Sequence, residues 1–117
     1  MHSCFDSRVR FRIRGNMDFY NTSTWRTKRQ AVLARDKYQC QILKRYGKLV
    51  EADTVHHIFP RCEFPQYQLC DWNLISVSKK AHNSLHIRDT QELTEAGKEL
   101  LRRTALKQGI PIPDKYK

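Results

Sequence analysis

The chain has 117 residues, enough for one domain with a modest core. Lys and Arg number 22 against 12 Asp and Glu, a formal net charge of +10 that calls for a polyanionic partner. No apolar run approaches a membrane span and the N-terminus has no uninterrupted apolar stretch of the kind a signal peptide needs, so nucleic acid is favoured over a membrane and a cytoplasmic setting is expected. A hydrophobic fraction of 39% argues against disorder throughout.

Residues 7–14 alternate arginine with apolar residues and meet a turn signal at Gly15-Asn16. Residues 1–18 read as a basic arm laid along phosphates or as a leader, with Met17 as an alternative start, and residues 19–117 as a single domain. A helix is expected after Ser23 or Thr24, with Trp25, Val32 and Leu33 on one face and an end near Asp36. Residues 38–42 and a segment through Val50 read as extended, with a turn at Gly47. Val55-His-His-Ile58 reads as a strand running into a loop at Pro60, and Leu74-Ile-Ser-Val77 as a second strand. Residues 78–88 read as a helix capped by Ser78. A last helix follows Thr94 and stops at Gly109, with residues 110–113 extended.

The chemistry concentrates in the middle. Four of the five histidines lie between residues 56 and 86. A strand sends His56 and His57 to opposite sides, so one can ligate an ion while its neighbour accepts a proton. On a helix, His82 and His86 at i, i+4 would share a face and grip one ion together. Asn73 stands between the pairs. Three neutral imidazoles favour a transition ion such as Zn, Ni or Mn over Mg.

The run Val55-His-His-Ile-Phe-Pro60, then Asn73-Leu-Ile-Ser-Val77, then His82-Asn83 and His86, resembles the HNH endonuclease family. The likeness spans about residues 25–88 and includes Arg35-Asp36-Lys37-Tyr38-Gln39-Cys40 ahead of the core. It implies an α+β fold with a ββα-metal (His-Me finger) core, one divalent metal ion, DNA as partner, and phosphodiester hydrolysis leaving 5′-phosphate and 3′-hydroxyl ends. By the same resemblance His56 takes the first metal-ligand position, often Asp elsewhere, and His57 the general base. Asn73 would hold that base in place, and His82 and His86 would complete a metal site like the three-histidine site of colicin-type nucleases. Such a likeness fits a phage-encoded role in DNA packaging as well as restriction or mobile elements.

One departure concerns zinc. Many relatives carry two C-x-x-C pairs, but Leu43 stands where the partner of Cys40 would be, and Ser78 and Ala81 take the second pair's places. Packing of Trp25, Trp72 and Tyr38 is the expected substitute. Cys4, Cys40, Cys62 and Cys70 are expected as thiols. Arg35, Arg61 and Arg88 are candidate phosphate contacts. The alternative reading is a non-catalytic zinc-stabilised DNA-binding module using Cys62, Cys70, His82 and His86. Its seven residues between the cysteines exceed the usual spacing, and it leaves His56, His57 and Asn73 unexplained.

Overall fold

The computed structural model describes residues 19–117; the arginine-alternating stretch 7–14, the Gly15-Asn16 turn and Met17 lie outside them. Helix α1 (Ser23–Arg35) starts one residue earlier than the sequence suggests, because the Thr22 hydroxyl accepts the Trp25 amide at 3.1 Å. It buries Trp25, Val32 and Leu33, the face its periodicity marks.

Beyond Asp36 the chain departs from expectation. Lys37 and Tyr38 both sit in the left-handed region, at φ +56° and +57°, and turn the backbone sharply. The expected strand over 38–42 shrinks to a bridge between Gln39 and Glu51. A single turn of helix, α2 (Gln41–Lys44), takes over where the strand would have continued. The Gln41 side-chain amide fixes the turn by donating to the Asp36 and Gln39 carbonyls. Tyr38 is left 47% exposed, and the rings that meet the tryptophans are others: Phe19, Tyr20 and His57 at Trp25, Phe59 and Tyr67 at Trp72.

Strands β1 (Thr54–His57) and β2 (Leu74–Val77) pair antiparallel, with His56 opposite Ile75 and His57 opposite Leu74. The outer edge of β2 is closed by side chains. Arg35 donates to the Leu74 carbonyl at 2.7 Å, and the Asp36 carboxylate accepts the Ser76 amide at 3.0 Å. Arg35 and Asp36 are themselves joined by two bonds of 2.9 Å, so this pair stands in for a third strand.

Helix α3 (Lys79–Leu85) follows, with Ser78 accepting the Ala81 amide as foreseen. It ends at Leu85 instead of near residue 88, for a traceable reason. The Ser84 and Leu85 carbonyls, which a longer helix would use internally, are taken by the Thr94 hydroxyl at 2.6 Å and the Thr94 amide at 3.0 Å. His86 is therefore extended (φ −120°, ψ 145°) and bridges to Leu93. Thr94 also caps α4 (Glu95–Gln108), which ends at Gly109 with φ +70°. Gly97 lets α4 approach α3 closely: a Cβ there would lie 2.4 Å from the Leu85 carbonyl oxygen. The tail folds back in a short 3₁₀ turn (Asp114–Tyr116), and the buried Tyr116 hydroxyl donates to Glu63 at 2.7 Å.

Helix, sheet, helix and tail share one core built on Trp25, Leu33, Phe59, Leu74, Leu85 and Leu101. The chain is thus a mixed helix and two-stranded sheet fold with a ββα unit of β1, β2 and α3 at its centre.

Candidate metal centre and its groove

The alternation of β1 sends His56 and His57 to different neighbourhoods. The His56 ring meets those of His82 and His86 at centroid separations of 5.3 and 5.0 Å, and the latter two lie 4.9 Å apart. Ligand nitrogens of the three residues all lie within 4.8 Å of one another. Both ring nitrogens of His56 are buried without a hydrogen-bond partner, as is Nδ1 of His86. Such groups cost free energy when left unsatisfied, so a fully buried imidazole with two idle nitrogens is a strong sign of a missing ligand.

The donor set fits a divalent ion. Metal–nitrogen distances of about 2.1 Å cap the nitrogen–nitrogen spacing at about 4.2 Å, so small ring rotations would draw the three together around one. Burial pushes the His56 pKa well below its ordinary value, with His86, His82 and His57 adding to the effect. Burial also lowers His82, helped by His86, and it lowers His86 against the pull of the Gln91 and Glu92 backbone. All three rings are neutral near pH 7 and keep a lone pair to offer.

The route to this cluster differs from the one expected. His82 is helical, but His86 lies just past the end of α3, so the two rings meet across a helix terminus and not along one helical face.

His57 faces the other way. Its ring stacks on Trp25 at 5.1 Å and 23°, with Phe19 and Tyr20 edge-on at 6.0 and 6.3 Å. Nε2 lies 3.0 Å from the Gln68 carbonyl. A carbonyl can only accept, so Nε2 carries the proton and Nδ1 is left as the basic nitrogen. Burial lowers the His57 pKa to about 4, against the pull of the Gln68 carbonyl and with Arg61 and His82 assisting. The ring is neutral at pH 7.

Asn73 does not bond the imidazole. Buried completely, it accepts the Phe59 amide at 2.7 Å and donates to the Phe59 and Tyr67 carbonyls at 3.2 and 3.1 Å. It therefore staples both ends of the loop between β1 and β2, and the next residue after Tyr67 presents the carbonyl that His57 uses. An aromatic cluster of Phe59 with Phe64, Tyr67 and Trp72, at 5.2–5.7 Å, packs the same loop.

A groove of about 870 Å³ runs along His57, His82 and His86. Arg61 and Arg88 line it, but Arg35 does not. All three Arg35 nitrogens are spent on Asp36, Asp71 and Leu74, which explains why this candidate phosphate contact belongs to the fold instead. Three residues that sequence reasoning passed over take part: Gln68 through its carbonyl, and Arg29 and Tyr20 on the groove wall. Arg29 stood among the basic residues of α1, and only the fold reveals which of them faces the groove.

The histidine cluster contains no cysteine. Cys40 and Cys62 are free thiols, whereas Cys70 is disulfide-bonded, counter to the expectation of thiols throughout. Among the described residues neither Cys62 nor Cys70 joins His82 and His86 in a metal-sized group, which counts against the Cys₂His₂ reading.

A ββα unit with neutral histidines converging at its strand–helix junction defines a metallonuclease class of site. The chain matches no family model and no curated protein. It is similar to the crystal structure of the HNH endonuclease of the deep-sea thermophilic bacteriophage GVE2 with manganese ion, at 36% identity and a TM-score of 0.56. The similarity covers 57% of this chain and 73% of that one. The chain belongs to the HNH endonuclease family and is a nuclease whose histidine cluster suits one divalent metal. Among the described residues no helix is long and apolar enough to cross a membrane.

Proposed function

We propose that the protein is a metal-dependent DNA endonuclease that hydrolyses phosphodiester bonds with His57 as general base and His56, His82 and His86 as metal ligands. The observation that carries this reading is the split at β1: a ligandless histidine cluster on one side, and on the other a neutral imidazole whose tautomer is fixed by the Gln68 carbonyl. The bound ion would supply positive charge to the scissile phosphate and the departing 3′ oxygen.

The chain's own residues do the rest. His57 takes a proton from the attacking water at Nδ1, while the Gln68 carbonyl and the Trp25 ring hold the imidazole at a fixed angle. Asn73 acts at one remove by fixing the loop that carries that carbonyl. Arg61 and Arg88 hold the substrate's phosphates on the groove. The products carry 5′-phosphate and 3′-hydroxyl ends. The nitrogen-only ligand set favours a transition ion, and the manganese of the phage relative's crystal agrees with that preference.

The test is incubation of supercoiled plasmid with the protein and Mn²⁺, Ni²⁺, Zn²⁺ or Mg²⁺, with and without chelator. Metal-dependent nicking whose products DNA ligase reseals without pretreatment is expected. Cleavage that persists in excess chelator, or ends that ligase refuses until phosphorylated, would contradict the reading.

A further inference from the structure

The groove carries one feature that phosphate hydrolysis does not require. Tyr20 lines it with 41% of its surface exposed, a high value for an aromatic ring packed into a cluster. Its ring is held edge-on by Phe19 at 5.2 Å and by Trp25 at 5.6 Å, and the Arg61 guanidinium sits 5.3 Å from its centre and 4.5 Å from that of Phe19. The ring is fixed in orientation and backed by a cation, yet partly open to the groove. Its centre is 6.3 Å from that of His57.

An exposed, edge-buttressed aromatic ring beside a guanidinium is the platform on which nucleic-acid bases stack. In a duplex the base faces are covered by their neighbours, so an aromatic platform can engage only a base that is unpaired and unstacked. Cations outnumber carboxylates along the groove, Arg29, Arg61 and Arg88 against Asp53 and Asp89, which leaves its wall net positive toward the backbone of such a strand.

We propose that Tyr20 is a stacking residue for an unpaired base next to the scissile phosphate, so that the enzyme's preferred substrate is a single-stranded or locally opened stretch of DNA. The proposal deepens the nuclease reading and rests on it. A base stacked on Tyr20 brings the adjoining phosphate within reach of His57 on the same wall. Exposed as it is, Tyr20 can be changed with little risk to the core.

Affinities of the parent protein, Tyr20→Ala and Tyr20→Phe for a fluorescent single-stranded oligonucleotide and for the blunt-ended, fully paired duplex of the same sequence, in chelator so that nothing is cut, test this directly. Loss of one stacked base should weaken single-strand binding of Tyr20→Ala by roughly 5- to 150-fold. The duplex should change far less, and Tyr20→Phe should bind the single strand within about twofold of the parent, since stacking needs the ring and not the hydroxyl. An equal loss on both substrates, a Phe variant as weak as the Ala variant, or no loss at all would each overturn the proposal. Cleavage with Mn²⁺, run in parallel on the same samples, reports on the nuclease reading separately. A parent that stacks the single strand through Tyr20 but cuts nothing would sink the nuclease reading and leave the stacking role standing.

Discussion

The two flanks of the small sheet handle polar groups in opposite ways. At the outer edge of β2 the backbone groups of Leu74 and Ser76 and the Arg35–Asp36 pair satisfy one another, and the Asp36 carboxylate is engaged on both oxygens. On the His56 side of β1, a fully buried imidazole is left with neither nitrogen bonded. Buried polar atoms normally find partners, because an orphan costs about 1–3 kcal/mol. The first flank is a finished network that holds the fold. The second is balanced only when something binds there. The same strand pair therefore separates structural polarity from functional polarity across a few ångströms.

Substitutions on each flank should have different signatures. The largest effect belongs to the histidine cluster: a His82→Ala, His86→Ala double variant should lose metal and cleavage together while its fold survives in chelator. Retained cleavage at the parent rate would break the contrast. Next comes His57, whose removal should leave metal content and DNA affinity nearly intact. Cleavage by His57→Ala should nonetheless fall by about 10²–10⁴-fold, the usual worth of a general base. Loss of melting temperature in step with loss of activity would reduce His57 to a packing residue.

Stability measurements sharpen the contrast further, because the two flanks should give opposite signs. Asp36→Asn breaks the satisfied network and should cost about 1–3 kcal/mol at pH 7 by chemical denaturation. Burial alone would raise the Asp36 carboxyl, but Arg35 and the Ser76 amide outweigh it and hold the carboxyl below its ordinary value. A depressed folded pKa gives stability that is present above the unfolded value near 3.8 and is lost as pH falls through the folded one. The parent should therefore lose part of its stability below about pH 4, and Asp36→Asn should lack that component. His56→Leu removes two orphaned polar atoms and should raise the melting temperature of the metal-free protein. The smallest effect is expected at Cys62, an exposed thiol: Cys62→Ser should stay within about 0.5 kcal/mol of the parent and keep its metal.

Much of this was legible in the sequence, and the failures have physical causes. Strand alternation at His56-His57, the caps at Ser78 and Thr94, the Gly109 stop and the α1 face are local signals, and the structure reproduces them. The motif led to the family that the structural comparison supports. The end of α3 was misjudged because Thr94, from the following helix, captures its last carbonyls, an event no local pattern announces. The strand at 38–42 was lost to two consecutive left-handed residues, neither of them glycine. Arg35 read as one more basic residue because two of its three partners, Asp71 and Leu74, are remote in sequence. The Gln68 carbonyl was invisible for a deeper reason: any residue has a carbonyl, so only the fold can select it.

The central claim is that His56, His82 and His86 together hold the metal. Titration of Mn²⁺ into the parent protein and into His56→Leu, followed by electron paramagnetic resonance of the free ion, tests it most directly. The parent should bind one ion per chain. His56→Leu should bind it more weakly by a larger factor than the roughly 10–100-fold lost with an outer-shell partner. One ion per chain bound by His56→Leu at the parent's affinity would place the metal elsewhere.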